Sequence, residues 1–209
     1  SQEIIYKYNS YYIDKNVSSD NKKIYITFDA GYENGNINKI LDILKEKDVK
    51  TSFFILEYLI KKNPDLVLRM KNEGHIVCNH TKNHKDMTTL TDEQMKNNLL
   101  SIEQSYKNLT GSDMHKIFRF PEGRYDKRTL ANASNLGYKT VFWSFAYADW
   151  DNDNQPDAKR SYDLIINNTH NGEIILLHPN SSTNAIILAD LIDKWKEMGY
   201  QFCTLDKLA

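Results

Sequence analysis

Short apolar runs alternate with longer amphipathic segments along most of the chain, and the two kinds differ in period. Residues 24–28, Ile-Tyr-Ile-Thr-Phe, are β-branched and aromatic and read as a strand. Within 37–47, the apolar positions Ile37, Ile40, Leu41 and Leu44 recur at the spacing of one helix face. Residues 51–55 predict the next strand, and Pro64 suits the first turn of a helix that ends near Gly74. The strand series continues at 75–78, 117–120, 139–143, 173–177 and 201–204. Further helices are predicted from an N-cap at Thr91 to about Leu109, over 126–136 with Gly137 as the stop, and at about 162–169 and 183–198.

Strand followed by helix, repeated about seven times, argues for a parallel α/β architecture. No repeat, low-complexity tract or Pro/Ser-rich linker divides it, so residues 22–209 read as one domain behind a Tyr-, Asn- and Ser-rich arm, 1–21. In such folds side chains from distant strands meet at the carboxyl ends of the strands. Asp29, His80, Arg119, Asp149 and His178 all fall at or beyond those ends, which lets residues spread over much of the sequence share one pocket.

Composition removes several function classes. The chain has 209 residues with 27 Lys plus Arg against 28 Asp plus Glu, a formal net charge of −1, and lacks the basic footprint of a nucleic-acid binder. No apolar run approaches the roughly 20 residues of a membrane span. The two cysteines, Cys78 and Cys203, are far apart, which excludes a disulfide framework and a thiolate zinc site. Ser1-Gln2-Glu3 does not read as a natural start, so a leader or anchor segment is expected to be missing from this sequence, and its absence does not place the protein in the cytoplasm.

Taken singly, each polar candidate has an ordinary structural explanation. His80 and His84, four apart, share a helix face or flank a tight turn, and neutral imidazoles suit a divalent cation, yet two surface histidines on a loop fit the spacing equally well. Asp29, after an apolar strand, reads as a turn former, a helix cap or a general base. Arg119 reads as a surface cation or as the partner that keeps a carboxylate ionised. His178 closes the most apolar strand, where a lone histidine is more often a hydrogen-bonded core residue than a catalyst. Asp149 offers a carboxylate to fix its tautomer, and Trp150 an aromatic wall for a sugar.

The order of the pieces is more informative than any one of them. Thr27-Phe28-Asp29-x-Gly31, His80-Thr81-x-x-His84, Arg119-x-Pro121-x-Gly123, Asp149-Trp150 and Leu176-Leu177-His178 resemble the five motifs of the polysaccharide deacetylases, carbohydrate esterase family 4 with its NodB homology domain. The resemblance covers about residues 22–208 and implies a distorted (β/α)7–8 barrel with an open groove and one divalent metal ion, zinc first, with cobalt, manganese or magnesium as alternatives. It implies Asp29 as catalytic base, His80 and His84 as metal ligands, Arg119 positioning Asp29, and Asp149 tuning His178 as catalytic acid. Tyr125 (through its backbone N–H), Trp150, Leu177, Tyr32 and Glu33 are implied to contact substrate. Ala30 departs from the pattern, because the family usually has there an Asp that is the third metal ligand.

The segments 31–35 (Gly-Tyr-Glu-Asn-Gly) and 143–156 narrow the resemblance to the PdaA-type δ-lactam-biosynthetic de-N-acetylases of spore-forming bacteria. That subgroup implies a monomer acting on N-acetylmuramic acid in the glycan strand of peptidoglycan, a step toward muramic δ-lactam in spore cortex. Two other readings remain: an N-acetylglucosamine or chitooligosaccharide deacetylase, and a non-catalytic cell-wall binding module.

Overall fold

The computed structural model describes residues 2–209. In chain order its strands are β1 (Ser10–Tyr11), β2 (Lys23–Ala30), β3 (Ser52–Ile55), β4 (Ile76–Asn79), β5 (Ile117–Phe118), β6 (Lys139–Val141), β7 (Phe145–Ala146), β8 (Glu173–Leu177) and β9 (Gln201–Phe202). The helices are α1 (Gln2–Lys7), α2 (Asn36–Lys47), α3 (Glu57–Lys62), α4 (Pro64–Asn72), α5 (Asp92–Thr110), α6 (Lys127–Asn135), α7 (Ala158–Asn167) and α8 (Ser182–Glu197). The strands lie in the order β1-β6-β5-β4-β3-β2-β8-β7, with β9 against the first residues of β2, and these ladders are all parallel. Among the described residues no ladder joins β1 to β7. The sheet therefore curls into a half-barrel with a seam, the (β/α) fold implied by the motifs.

Both faces of the sheet are covered, so its strands read as nearly continuous apolar runs. Tyr25, Phe54, Ile76, Cys78, Val141 and Ile174 fill the barrel interior. Ile24, Ile26, Phe28, Phe53, Ile55, Ile175 and Leu177 face outward and pack with Ile37, Leu41, Leu188 and Trp195 of the surrounding helices. Phe28 and Phe53, paired in register, stack with ring centroids 5.0 Å apart. Each such side chain taken from water contributes about 1.5–3 kcal/mol.

Caps fix where the helices start. Thr91 and Gln94 form a capping box on α5, Asp126 caps α6, and the Ser181 hydroxyl caps α8. No helix among the described residues is long and apolar enough to cross a membrane.

The segment read as an arm belongs to the sheet. Ser10 and Tyr11 pair with Thr140 and Val141, and the Tyr11 carbonyl accepts the Phe142 N–H at 2.7 Å. Asp14 N–H donates to the Gly172 carbonyl at 2.9 Å, and Asp14 Oδ2 accepts the Tyr25 hydroxyl at 2.6 Å beneath the barrel. Main-chain pairing holds this polar stretch where apolar periodicity could not announce it. Helix α3 and the two-residue strand β7 were also outside the expected set, being too short to show a period.

Candidate active site

Four strand ends deliver the charged groups. Asp29 is the penultimate residue of β2, whereas His80, Arg119 and His178 directly follow β4, β5 and β8. Arg119 is fully buried, its guanidinium lying over the Phe54 ring at 4.2 Å and hydrogen-bonded on all three nitrogens. Nε donates to the Val141 carbonyl at 3.0 Å, and Nη2 to the Phe142 carbonyl at 2.7 Å. Nη1 donates to Thr27 Oγ1 at 2.8 Å and to Asp29 Oδ1 at 2.9 Å. Burial alone would push the Asp29 carboxyl up, but His80, Arg119 and His178 outweigh it and hold the group below the usual carboxylate range. Asp29 is therefore an anion at neutral pH, fixed at one oxygen and free at the other.

His80 and His84 flank a tight turn and not a helix. Two non-glycine residues take left-handed backbone there, Thr81 at φ 81° and His84 at φ 60°. A β-branched residue in that region is strained, and side chains hold the turn in place. Thr81 N–H donates to Asn79 Oδ1 at 2.8 Å, His84 N–H to Thr81 Oγ1 at 2.9 Å, and Lys82 N–H to Asn98 Oδ1 at 2.9 Å. The two imidazoles end with centroids 5.1 Å apart.

The Arg119 carbonyl lies 2.8 Å from His80 Nδ1 and must accept its proton, which leaves Nε2 with a free lone pair, 3.5 Å from Asp29 Oδ2. Burial is the main reason His80 is held down at about 4; His84 adds to it and Asp29 opposes it. A neutral imidazole with its second nitrogen anchored is what a metal ligand requires; His80 meets that description and the His84 ring stands beside it, so the two positions fit a divalent cation. Ala30 supplies nothing to it: its side chain lies in the helix-facing core, and no set of three His, Cys, Asp or Glu among the described residues is arranged to hold a metal.

On the other side of the cleft stands His178. Its Nδ1 donates to Asp149 Oδ1 at 2.8 Å and its main-chain N–H to Asp149 Oδ2 at 2.8 Å, while Asp149 is completely buried. Burial lowers the His178 pKa, but the hydrogen bond and charge of Asp149, helped by Asp29, carry it above its ordinary 6.5. Nε2 is thus the ring position left to exchange a proton.

Asp29, His80, His84 and His178 line one cleft of about 580 Å³, walled by Tyr32, Leu56, Glu122, Trp143, Tyr147, Trp150, Leu176 and Asn180. Gly123 backs this wall at φ 67°, and a Cβ there would meet the Trp143 ring at 2.7 Å. Trp150 is 59 % exposed, its ring 6.4 Å from that of His178, and Tyr32 is anchored by Asn152 Nδ2 at 2.7 Å.

Two expected substrate contacts change, and a third, Tyr125, keeps the backbone donor expected of it. Leu177 points into the helix-facing core and Leu176 lines the cleft, because neighbouring strand residues face opposite ways. The Glu33 carboxylate accepts the backbone N–H groups of Gly35, Ile37 and Asn38 at 2.8, 3.0 and 3.1 Å, and so serves as the cap of α2. The Tyr125 ring packs on Phe142 at 4.9 Å instead of lining the cleft, while its backbone N–H has no acceptor among the described residues. Trp143, Tyr147 and Asn184 escaped the sequence reading; the Trp-Ser-Phe-Ala-Tyr run had pointed to the right segment without separating wall from core.

Comparison with known proteins agrees with this arrangement. A family model described as polysaccharide deacetylase matches residues 16–141. The peptidoglycan-N-acetylmuramic acid deacetylase PdaA of Bacillus subtilis is 40% identical over 205 residues, 98% of this chain and 77% of that protein. Its solved structure superposes with a TM-score of 0.94, covering 99% of this chain and 87% of that one. A peptidoglycan-N-acetylglucosamine deacetylase of Bacillus cereus is 30% identical over 202 residues, 94% of this chain and 92% of its own length. Matches of this extent, over motifs that meet in one cleft, make the chain a member of the polysaccharide deacetylase family, carbohydrate esterase family 4.

Proposed function

We propose that the chain hydrolyses the N-acetyl group of N-acetylmuramic acid in peptidoglycan glycan strands, outside the cytoplasmic membrane, and that the freed amine goes on to muramic δ-lactam in spore cortex. The observation that carries the reaction is that one cleft presents an arginine-held carboxylate and a carboxylate-held imidazole together with the paired rings of His80 and His84. Identity with PdaA, and the nature of that relative's substrate, support muramic acid.

Family deacetylases are generally metal-dependent, and a divalent ion held by His80 and His84, zinc in this reading, would polarise the acyl carbonyl and acidify the attacking water. Asp29 accepts the proton of that water through the oxygen Arg119 leaves free. The backbone N–H of Tyr125 donates to the oxyanion. His178, protonated and held through Nδ1 by Asp149, delivers a proton from Nε2 to the departing amine, a poor leaving group without it. Trp150 and Tyr32 supply faces against which a sugar ring packs.

Acetate release is the direct test. Glycan strands stripped of stem peptides are expected to lose acetate in the presence of zinc, cobalt, manganese or magnesium, and Asp29→Asn and His178→Ala to lower the rate by orders of magnitude with folding retained. The B. cereus relative supplies the second reading, N-acetylglucosamine. Turnover of chitooligosaccharides with none on stripped strands would replace the first reading by the second.

A further inference from the structure

Asn184 lies in the first turn of α8, is 1 % exposed, and belongs to none of the five motifs. Its Nδ2 donates to Asp149 Oδ2 at 2.7 Å and to the His178 carbonyl at 3.0 Å. Its Oδ1 accepts the hydroxyl of Tyr147, and its main-chain N–H is held by Ser181 Oγ at 3.0 Å. Turning the amide over would set its oxygen against a carboxylate and a carbonyl, so chemistry fixes its orientation. Both donors and the acceptor are in use, and two of the three bonds end on the acid machinery.

The two buried carboxylates of the cleft are held in contrasting ways. Asp29 receives a guanidinium, which keeps it ionised and cancels most of its charge. Asp149 receives a main-chain N–H, the His178 ring and an amide, so its only cationic neighbour is the protonated imidazole itself. A neutral donor solvates the buried anion and leaves its charge to act on His178. The other groups that bear on His178 are Asp29, which raises its pKa, and Arg119, which lowers it; Tyr147 stays neutral because burial pushes its hydroxyl up.

We propose that Asn184 is a positioning residue of this enzyme: it holds Asp149 against His178 without competing for its charge, and so sets the proton affinity of the catalytic acid. The inference rests on the proposed role of His178, and it is tested with Asn184→Leu and the isosteric Asn184→Asp. Both variants are expected to lose at least tenfold in kcat with KM within about twofold.

Histidine-ring NMR titration supplies the readout that packing alone would not move. Leucine removes a dipole whose positive end faces the pair, and should make His178 titrate at higher pH by about one unit, the scale of one hydrogen bond to a charged group. Aspartate sets a second carboxyl 2.7 Å from Asp149, where the two share a proton and titrate with His178 as one coupled group. A His178 titration that is unmoved or lowered in folded Asn184→Leu, or a kcat of that variant within twofold of wild type, overturns the proposal. Titration needs no turnover, so a wild-type chain inactive on every glycan would sink the proposed reaction while this readout still decided the role of Asn184.

Discussion

Replacing Arg119 by methionine keeps most of the aliphatic volume and removes four hydrogen bonds, to Val141, Phe142, Thr27 and Asp29. The largest consequence is electrostatic. Asp29, with a side chain 10 % exposed, is left charged without its cation, because His80 is neutral at pH 7. Breaking a buried pair by deleting one partner costs about 3–5 kcal/mol. At this chain length each kcal/mol lowers the melting temperature by roughly 2–4 °C, so Arg119→Met should melt about 6–20 °C below wild type. Asp29→Asn removes the stranded charge and should cost less. The double variant should then recover about 1–3 kcal/mol relative to the sum of the two singles, while all three release acetate orders of magnitude more slowly than wild type. Thermal melts and an acetate assay on the four proteins complete the cycle. Additivity within about 0.5 kcal/mol would refute the claim that this ion pair holds the base.

Three further outcomes follow from the geometry. In its proposed role His178 acts while protonated, and its pKa lies above 6.5, so the rate should fall on the alkaline side through that raised value, and Asp149→Asn should bring the limb down by about one unit or more in a pH–rate profile. By the same linkage the His178–Asp149 pair contributes stability in full below pH 6.5 and loses it as pH rises through the folded value. Leu177→Ala should cost about 2–5 kcal/mol in denaturant melts with KM unchanged, whereas Leu176→Ala should raise KM, since only the latter lines the cleft. Burial raises the Glu173 carboxyl to about 8, and its Oε2 has no partner, so Glu173 folds as the neutral acid. Wild type should therefore lose stability at about 1.4 kcal/mol per pH unit between about 4.5 and 8, and Glu173→Gln should flatten that slope and be the more stable protein at pH 8.

The sequence carried the sheet because its strands are buried on both faces and its longer helices have clear caps. Asp29, His80 and His178 could be placed together because each falls at a strand end, and the turn after β4 sets His84 beside His80. Facing was lost where alternation had to be counted from an unknown start: Leu176 and Leu177 look equally apolar, and only register with β2 shows which turns inward. Glu33 looked like a substrate contact because nothing local reveals that three N–H groups of α2 close on its carboxylate. Asn184 was invisible for a related reason: it stands among helix residues, and its partners Asp149 and Tyr147 come from a loop and a strand end far away in sequence.

Arg119 serves both halves of the cleft, its guanidinium gripping Asp29 and its carbonyl oxygen gripping the His80 ring. The proposed proton acceptor and the proposed cation ligand thereby lean on one residue by two separate grips. A new side chain at 119 releases Asp29 and leaves the main-chain acceptor of His80 in place, so only a change of backbone there would disturb both at once.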